Sequence, residues 1–159
     1  MDPILEELQR DSRISEAQLA ELFNLSKAEI QSRISAWEED GTILGYQAVV
    51  DPERAGQTDV TALIEVKLTP ERDGGFDRVA RRIAKFDEVT TCYLMSGGYD
   101  LVVVVAAPTL QEVARFVAEK LSTIESVTST ATRFKLKTYK EKGFEARVDH
   151  EPRSLPVSP

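Results

Sequence analysis

Two stretches of this chain carry residue types at spacings that can do recognition chemistry. The first holds Ser26, Lys27, Ala28, Gln31, Ser32 and Arg33. Ser26 followed three residues later by Glu29 is a capping box, so these side chains stand in the opening turns of a helix. Free amides there can meet a phosphate, Gln31 can bond an adenine edge, and Lys27 and Arg33 can hold backbone phosphates. That is the chemistry of reading duplex DNA, although a small helical bundle with a polar face presents the same residues. The second stretch is Gly97, Gly98, Tyr99 and Asp100, joined at a distance by Thr130 and Thr132. A zwitterion needs acceptors for its ammonium and convergent donors for its carboxylate. Asp100 supplies the first, and the glycine-turn amides and threonine hydroxyls supply the second. The same residues have plainer uses: paired glycines turn hairpins, Asp caps turn amides and Thr suits strands.

Other chemistries are poorly provided for. The chain has 159 residues with one cysteine, Cys92, and one histidine, His150, so an internal disulfide and a Cys/His metal cluster are both excluded. Neither a cofactor nor a metal is expected. Twenty Lys and Arg against 27 Asp and Glu leave a formal charge of −7, which argues against a generally basic nucleic-acid surface. The longest apolar run, Leu101 to Pro108, falls far short of the roughly 20 residues a membrane span needs, so a cytoplasmic, soluble protein is expected.

The elements that must position these residues change character once, near Gly45. Before it the apolar spacing is helical. Asp2 and Pro3 open a first helix with Ile4, Leu5 and Leu8 on one face, and Ser15 with Gln18 caps a second carrying Leu19, Ala20, Leu22 and Phe23. Asn24 breaks that helix. Leu25 is placed to staple onto Ile30 in a third helix whose buried stripe is Ile30, Ile34 and Trp37 and whose stop is Gly41. Ile43 to Val50 reads as extended chain, a candidate wing.

After Pro52 the pattern is strand, helix, strand, strand, helix, strand. The strands are expected at Val60 to Leu68, Val89 to Met95, Asp100 to Ala106 and Val127 to Leu136. The helices are expected at Asp77 to Phe86 and, after a Thr109 cap, along Leu110, Val113, Phe116, Val117 and Leu121. This order describes a ferredoxin-like βαββαβ sheet with both helices on one face. The expected organisation is therefore α+β: a winged helix-turn-helix over 1–50, a linker over 51–59, a ferredoxin-like domain over 60–142 and a flexible tail over 143–159.

Charge divides unevenly between these parts. Residues 1–50 hold ten acids and four bases, a net of −6, while the remainder is near neutral. Since non-specific DNA affinity comes mainly from neutralising phosphates, such a headpiece binds weakly alone and needs a paired copy. A basic cluster, Arg133, Lys135, Lys137, Lys140 and Lys142, could touch DNA, but its alternation along a strand reads more simply as a solvated face.

The sequence resembles the Lrp/AsnC, or feast/famine, family of transcriptional regulators. The resemblance rests on Asp11 to Ser15, Leu19 and Ala20, Leu25 and Ser26, Arg33 and Ile34, Glu39 to Gly41, Ile43, Gly45 and Tyr46, then on Cys92 to Leu94, Gly97, Tyr99 and Asp100. It implies a sequence-specific DNA-binding regulator whose second domain senses an amino acid or related small metabolite, and which forms homodimers of a kind that often assemble into octamers. It also implies that the effector lies near Gly97, Gly98, Tyr99, Asp100, Thr130 and Thr132, commonly between neighbouring dimers. The chain departs from the family at Ser32 and Ala36, where members often carry bases. Two rival readings remain. One is a metabolite-binding or assembly protein with a weakened headpiece. The other is a sirohaem-decarboxylase-like enzyme, a chemistry that looks to histidines and would find only His150 here.

Overall fold

The structure, a computed structural model, describes residues 1–70 and 75–146. The chain divides into two units, Met1–Val49 and Val50–Pro159. The first is built from α1 (Pro3–Arg10), α2 (Glu16–Phe23) and α3 (Lys27–Glu39). Each helix starts on its own side-chain cap. Asp2 accepts from the Ile4 amide at 2.9 Å, while Ser15 with Gln18 and Ser26 with Glu29 form complete capping boxes. Asn24 ends α2 in the left-handed region, at φ 53° and ψ 45°, a conformation that Asn tolerates better than most side chains. Two residues later Ser26 caps α3. Ile4, Leu8, Leu19 and Ile30 are buried at the centre, with Leu25, Ile34 and Trp37 packed against them. Gly41, at φ +77°, follows α3, and the Ile43 amide returns to the Trp37 carbonyl at 2.8 Å. Residues 44–50 run without a ladder partner within this unit, so the expected wing is a single extended segment here. A strand needs a second strand to bond, and the unit's sequence supplies none. Tyr46 ties the segment back to α3 by donating its hydroxyl to Glu38 Oε1 at 3.0 Å.

The second unit holds β1 (Val60–Leu68), α4 (Asp77–Ile83), β2 (Val89–Leu94), β3 (Leu101–Ala107), α5 (Leu110–Phe116) and β4 (Val127–Phe134). The four strands form one antiparallel sheet in the order β2-β3-β1-β4. Alternation decides which side is covered. Ala62, Ile64, Val66 and Leu68 of β1 and Leu101, Val103, Val105 and Ala107 of β3 are buried with Val79 and Ile83 of α4 and Val113 and Phe116 of α5. Their neighbours, including Leu63, Val102 and Val104, face the other way and are only partly covered.

Three ends differ from the sequence reading. α4 stops at Ile83, with Phe86 packing from the following turn and not from the helix. α5 continues as a wider π turn, Val117–Leu121, which brings Leu121 into the core. Residues 51–59, read as a linker, include a hydrogen-bonded turn because Asp51 Oδ1 accepts from the Glu53 and Arg54 amides.

The expected tail also begins differently. Lys140–Glu141 and Phe144–Glu145 pair as β5 and β6 around Lys142 (φ 46°) and Gly143 (φ 91°), two consecutive positive-φ residues that suit a tight hairpin turn. The rest of the tail, with His150, lies outside the described residues.

Because Ile64 is fully buried on the central strand and Leu110 is 51% exposed on α5, the two positions separate core from surface. Ile64→Ala is expected to cost about 2–5 kcal/mol in urea unfolding and Leu110→Ala clearly less. Equal losses would contradict the burial pattern.

Candidate functional site

The opening of α3 is exposed, as a reading helix requires. Ser26, Lys27, Ala28, Gln31, Ser32 and Arg33 all face solvent, while Ile30 between them is fully buried. Helical spacing puts Ala28, Ser32 and Ser35 on the side away from Ile30, with Lys27 and Gln31 on one flank and Arg33 on the other. The polar groups are less free than the sequence implied. Ser26 uses its hydroxyl twice within the capping box, accepting from the Glu29 amide at 3.2 Å and donating to Glu29 Oε2 at 2.8 Å. The Glu29 carboxylate thus occupies the helix start, where an incoming phosphate would seek amides. The backbone and hydroxyl bonds from Ser26 hold its carboxyl below the usual range, so it stays charged.

Both expected phosphate-binding cations already have acids. Lys27 Nζ lies 3.5 Å from Glu16 Oε2, and Arg33 Nη1 lies 3.4 Å from Asp2 Oδ2. Sequence reasoning missed Glu16 and Asp2 as partners. Nothing in the local pattern marks them, because Asp2 is 31 residues from Arg33 and meets it only through the fold. These pairs are solvent-exposed and individually weak.

At the far end of the second unit, β2 and β3 are joined through Gly97, Gly98 and Tyr99. Gly97 takes φ +124°, which favours glycine. Asp100 starts β3 in a structural role. Its Oδ2 accepts from the Leu68 amide at 2.7 Å, where the ladder between β1 and β4 shifts register, and its Oδ1 lies 3.7 Å from Lys67 Nζ. Its own amide donates to the Val66 carbonyl at 3.0 Å. The carboxylate imagined for an ammonium is thus engaged with β1. Thr130 opposes Val66 from the other side, on β4, and Thr132 opposes Ile64. Asp100 and Thr130 are therefore separated by β1, about two strand spacings or roughly 10 Å. Within one chain Gly97 to Asp100 and Thr130 lie toward one end of the sheet while Thr132 lies opposite the middle of β1, so the six expected effector residues do not converge on a common point.

A cleft of about 270 Å³ opens at the opposite end, lined by Glu88, Ala107, Pro108, Glu112, Phe116 and Lys120 among others, and by none of those six. Its polar side is closed by Lys120, which donates to Glu88 Oε1 at 2.6 Å and lies 5.3 Å from the Phe86 ring centroid and 5.9 Å from that of Phe116. The two rings meet edge to face at 5.6 Å. Lys120 stands in the π turn. This pair links the π turn to the turn before β2 across 32 residues and was not legible in the sequence.

Comparison with known proteins covers nearly the whole chain. Residues 3–38 match the AsnC-type helix-turn-helix domain and residues 61–143 the Lrp/AsnC ligand binding domain. The chain is 43% identical to the uncharacterized HTH-type transcriptional regulator YugG of Bacillus subtilis, over 98% of this chain and 95% of that one. It is 34% identical to a proline dehydrogenase transcriptional activator of Rhizobium radiobacter, covering 89% and 90%. Among solved structures it is similar to the E. coli AsnC protein, with 28% identity, TM-score 0.63 and coverage of 87% and 91%. It is also similar to a Neisseria meningitidis transcriptional regulator in complex with L-Met, with 25% identity, TM-score 0.66 and coverage of 87% and 88%.

The Lys120 bond holds the Glu88 carboxyl below its ordinary value, outweighing the opposite effect of burial. A carboxyl depressed in the folded state adds stability above its unfolded value and loses it as pH falls through the folded one. Wild type is therefore expected to exceed Glu88→Gln in melting temperature near neutral pH, with the gap closing on acidification below the carboxylate range. A gap independent of pH would contradict the ion pair.

Proposed function

As the chain belongs to the Lrp/AsnC family of DNA-binding transcriptional regulators, we propose that its α3 reads a specific duplex site and that its second unit answers to an amino acid or related metabolite. The observation that carries the first half is the tight turn of only three residues between α2 and α3, left-handed Asn24, Leu25 and the Ser26 cap, which leaves Ala28, Gln31 and Ser32 exposed on the opening turns of α3. Gln31 is assigned to a base edge, Lys27 and Arg33 to phosphates, and Ser26, Ala28 and Ser32 to the groove wall.

The effector region is assigned to the turn amides of Gly97, Gly98 and Tyr99, with Asp100 fixing the turn's shape and Thr130 and Thr132 of a second copy meeting the ligand. The single-chain separation favours this sharing between copies. L-Met in the Neisseria structure supports an amino acid as the ligand class. Homodimerisation is assigned to the open sheet face, where Leu63 and Tyr93 are 39% and 61% exposed beside the half-buried Val102 and Val104. Octamers are a further possible assembly of such dimers. The protein is read as cytoplasmic and as a regulator with no catalytic role. Among the described residues no helix is long and apolar enough to cross a membrane.

The test is binding to duplex DNA from its own upstream region over a salt series, repeated with each of the amino acids. Log affinity is expected to fall with log salt, Lys27→Ala and Arg33→Ala each to flatten that slope by up to about 1, and one class of amino acid to shift the affinity. Absence of a specific complex at low salt would overturn the DNA reading; a complex indifferent to every amino acid would overturn the sensing reading for that class.

A further inference from the structure

Phosphate neutralisation is scarce in the first unit: of its four bases, Arg10 pairs with Glu7, Lys27 with Glu16 and Arg33 with Asp2. The sign reverses near the other end of the described chain. Residues 133–146 hold five bases, Arg133, Lys135, Lys137, Lys140 and Lys142, against Glu141 and Glu145, a net of +3. Arg133 is taken up by a two-point bond to Glu65, at 3.0 and 3.2 Å. Lys135 and Lys140 are exposed and make no ion pair among the described residues, and Lys137 lies 5.3 Å from the Tyr139 ring centroid, a contact that leaves its charge uncancelled.

The segment has a defined shape. The Lys135 amide donates to the Thr61 carbonyl at 2.9 Å, prolonging the sheet edge beyond β4, and the β5–β6 turn fixes Lys140 opposite Glu145. Two residues apart, the backbone positions of Lys135 and Lys137 are separated by at most about 7 Å, close to the spacing of successive phosphates on a strand.

We propose that Lys135, Lys137 and Lys140 form a second contact with the phosphate backbone of duplex DNA, apart from α3. This rests on the regulator reading and deepens it: α3 specifies the site, and these lysines provide sequence-independent affinity that the acidic first unit lacks. Leu136 and Tyr139, 94% and 74% exposed, define the competing occupant, a second copy of this chain.

The experiment uses the full chain with its upstream duplex and with random-sequence duplex, each over a salt series, with mass by light scattering. Lys135→Gln, Lys137→Gln and Lys140→Gln combined are expected to flatten the salt slope on both DNAs by up to about 3 per protomer, leaving the preference between the DNAs and the mass unchanged. Arginine at all three positions is expected to restore the slope. An unchanged slope in the glutamine variant while the unsubstituted chain binds would overturn the second contact alone. A changed mass would assign the segment to self-association and also overturn it. If the unsubstituted chain binds neither DNA, the regulator reading fails and takes this one with it.

Discussion

Carboxylates stand where DNA phosphates would have to come. The Glu29 carboxylate accepts from the Ser26 amide at the start of α3, Glu16 lies beside Lys27 and Asp2 beside Arg33. The same groups that let three short helices fold thus compete with their expected ligand. Capping is worth about 0.5–2 kcal/mol per helix, which an eight-residue helix needs, and the caps here include acids. If Lys27 and Arg33 hold phosphates as proposed, DNA binding by this unit exchanges an internal carboxylate for an external phosphate, and each contact yields less than a free lysine would. In that reading the remaining affinity comes from copies acting together and from cations elsewhere.

The second unit supplies a firm base for that cooperation. β1 is central, bonded to β3 on one side and β4 on the other, and its alternate residues reach the middle of the core. Asp100, directly after the β2–β3 turn, is tied to the end of β1 through the Leu68 amide. In the proposed function this turn is a partial site for the effector's carboxylate that another protomer completes, and ligand binding and assembly are then one linked equilibrium.

Local signals were legible because they act within a few residues. The Ser15–Gln18 and Ser26–Glu29 boxes, the Asn24 break and the alternation from Val60 to Leu68 each appear in the structure where the spacing put them. What escaped depends on the chain meeting itself. Asp2 with Arg33, Asp100 with Leu68 and Glu88 with Lys120 are each separated by 31 or 32 residues, and no periodicity encodes them. Lys142–Gly143 is a different kind of miss: a two-residue turn was written in the sequence, but the charged residues around it carried no strand alternation.

The central claim is that the first unit's own acids hold the cations α3 would offer to DNA. Affinity of an Asp2→Asn, Glu16→Gln variant for upstream duplex DNA at fixed salt tests it most directly, against Glu21→Gln as a control for lost charge alone; Asn retains the cap at position 2. The double variant is expected to bind more tightly, by more than twice the control's effect in log affinity. Binding no tighter than that would contradict it.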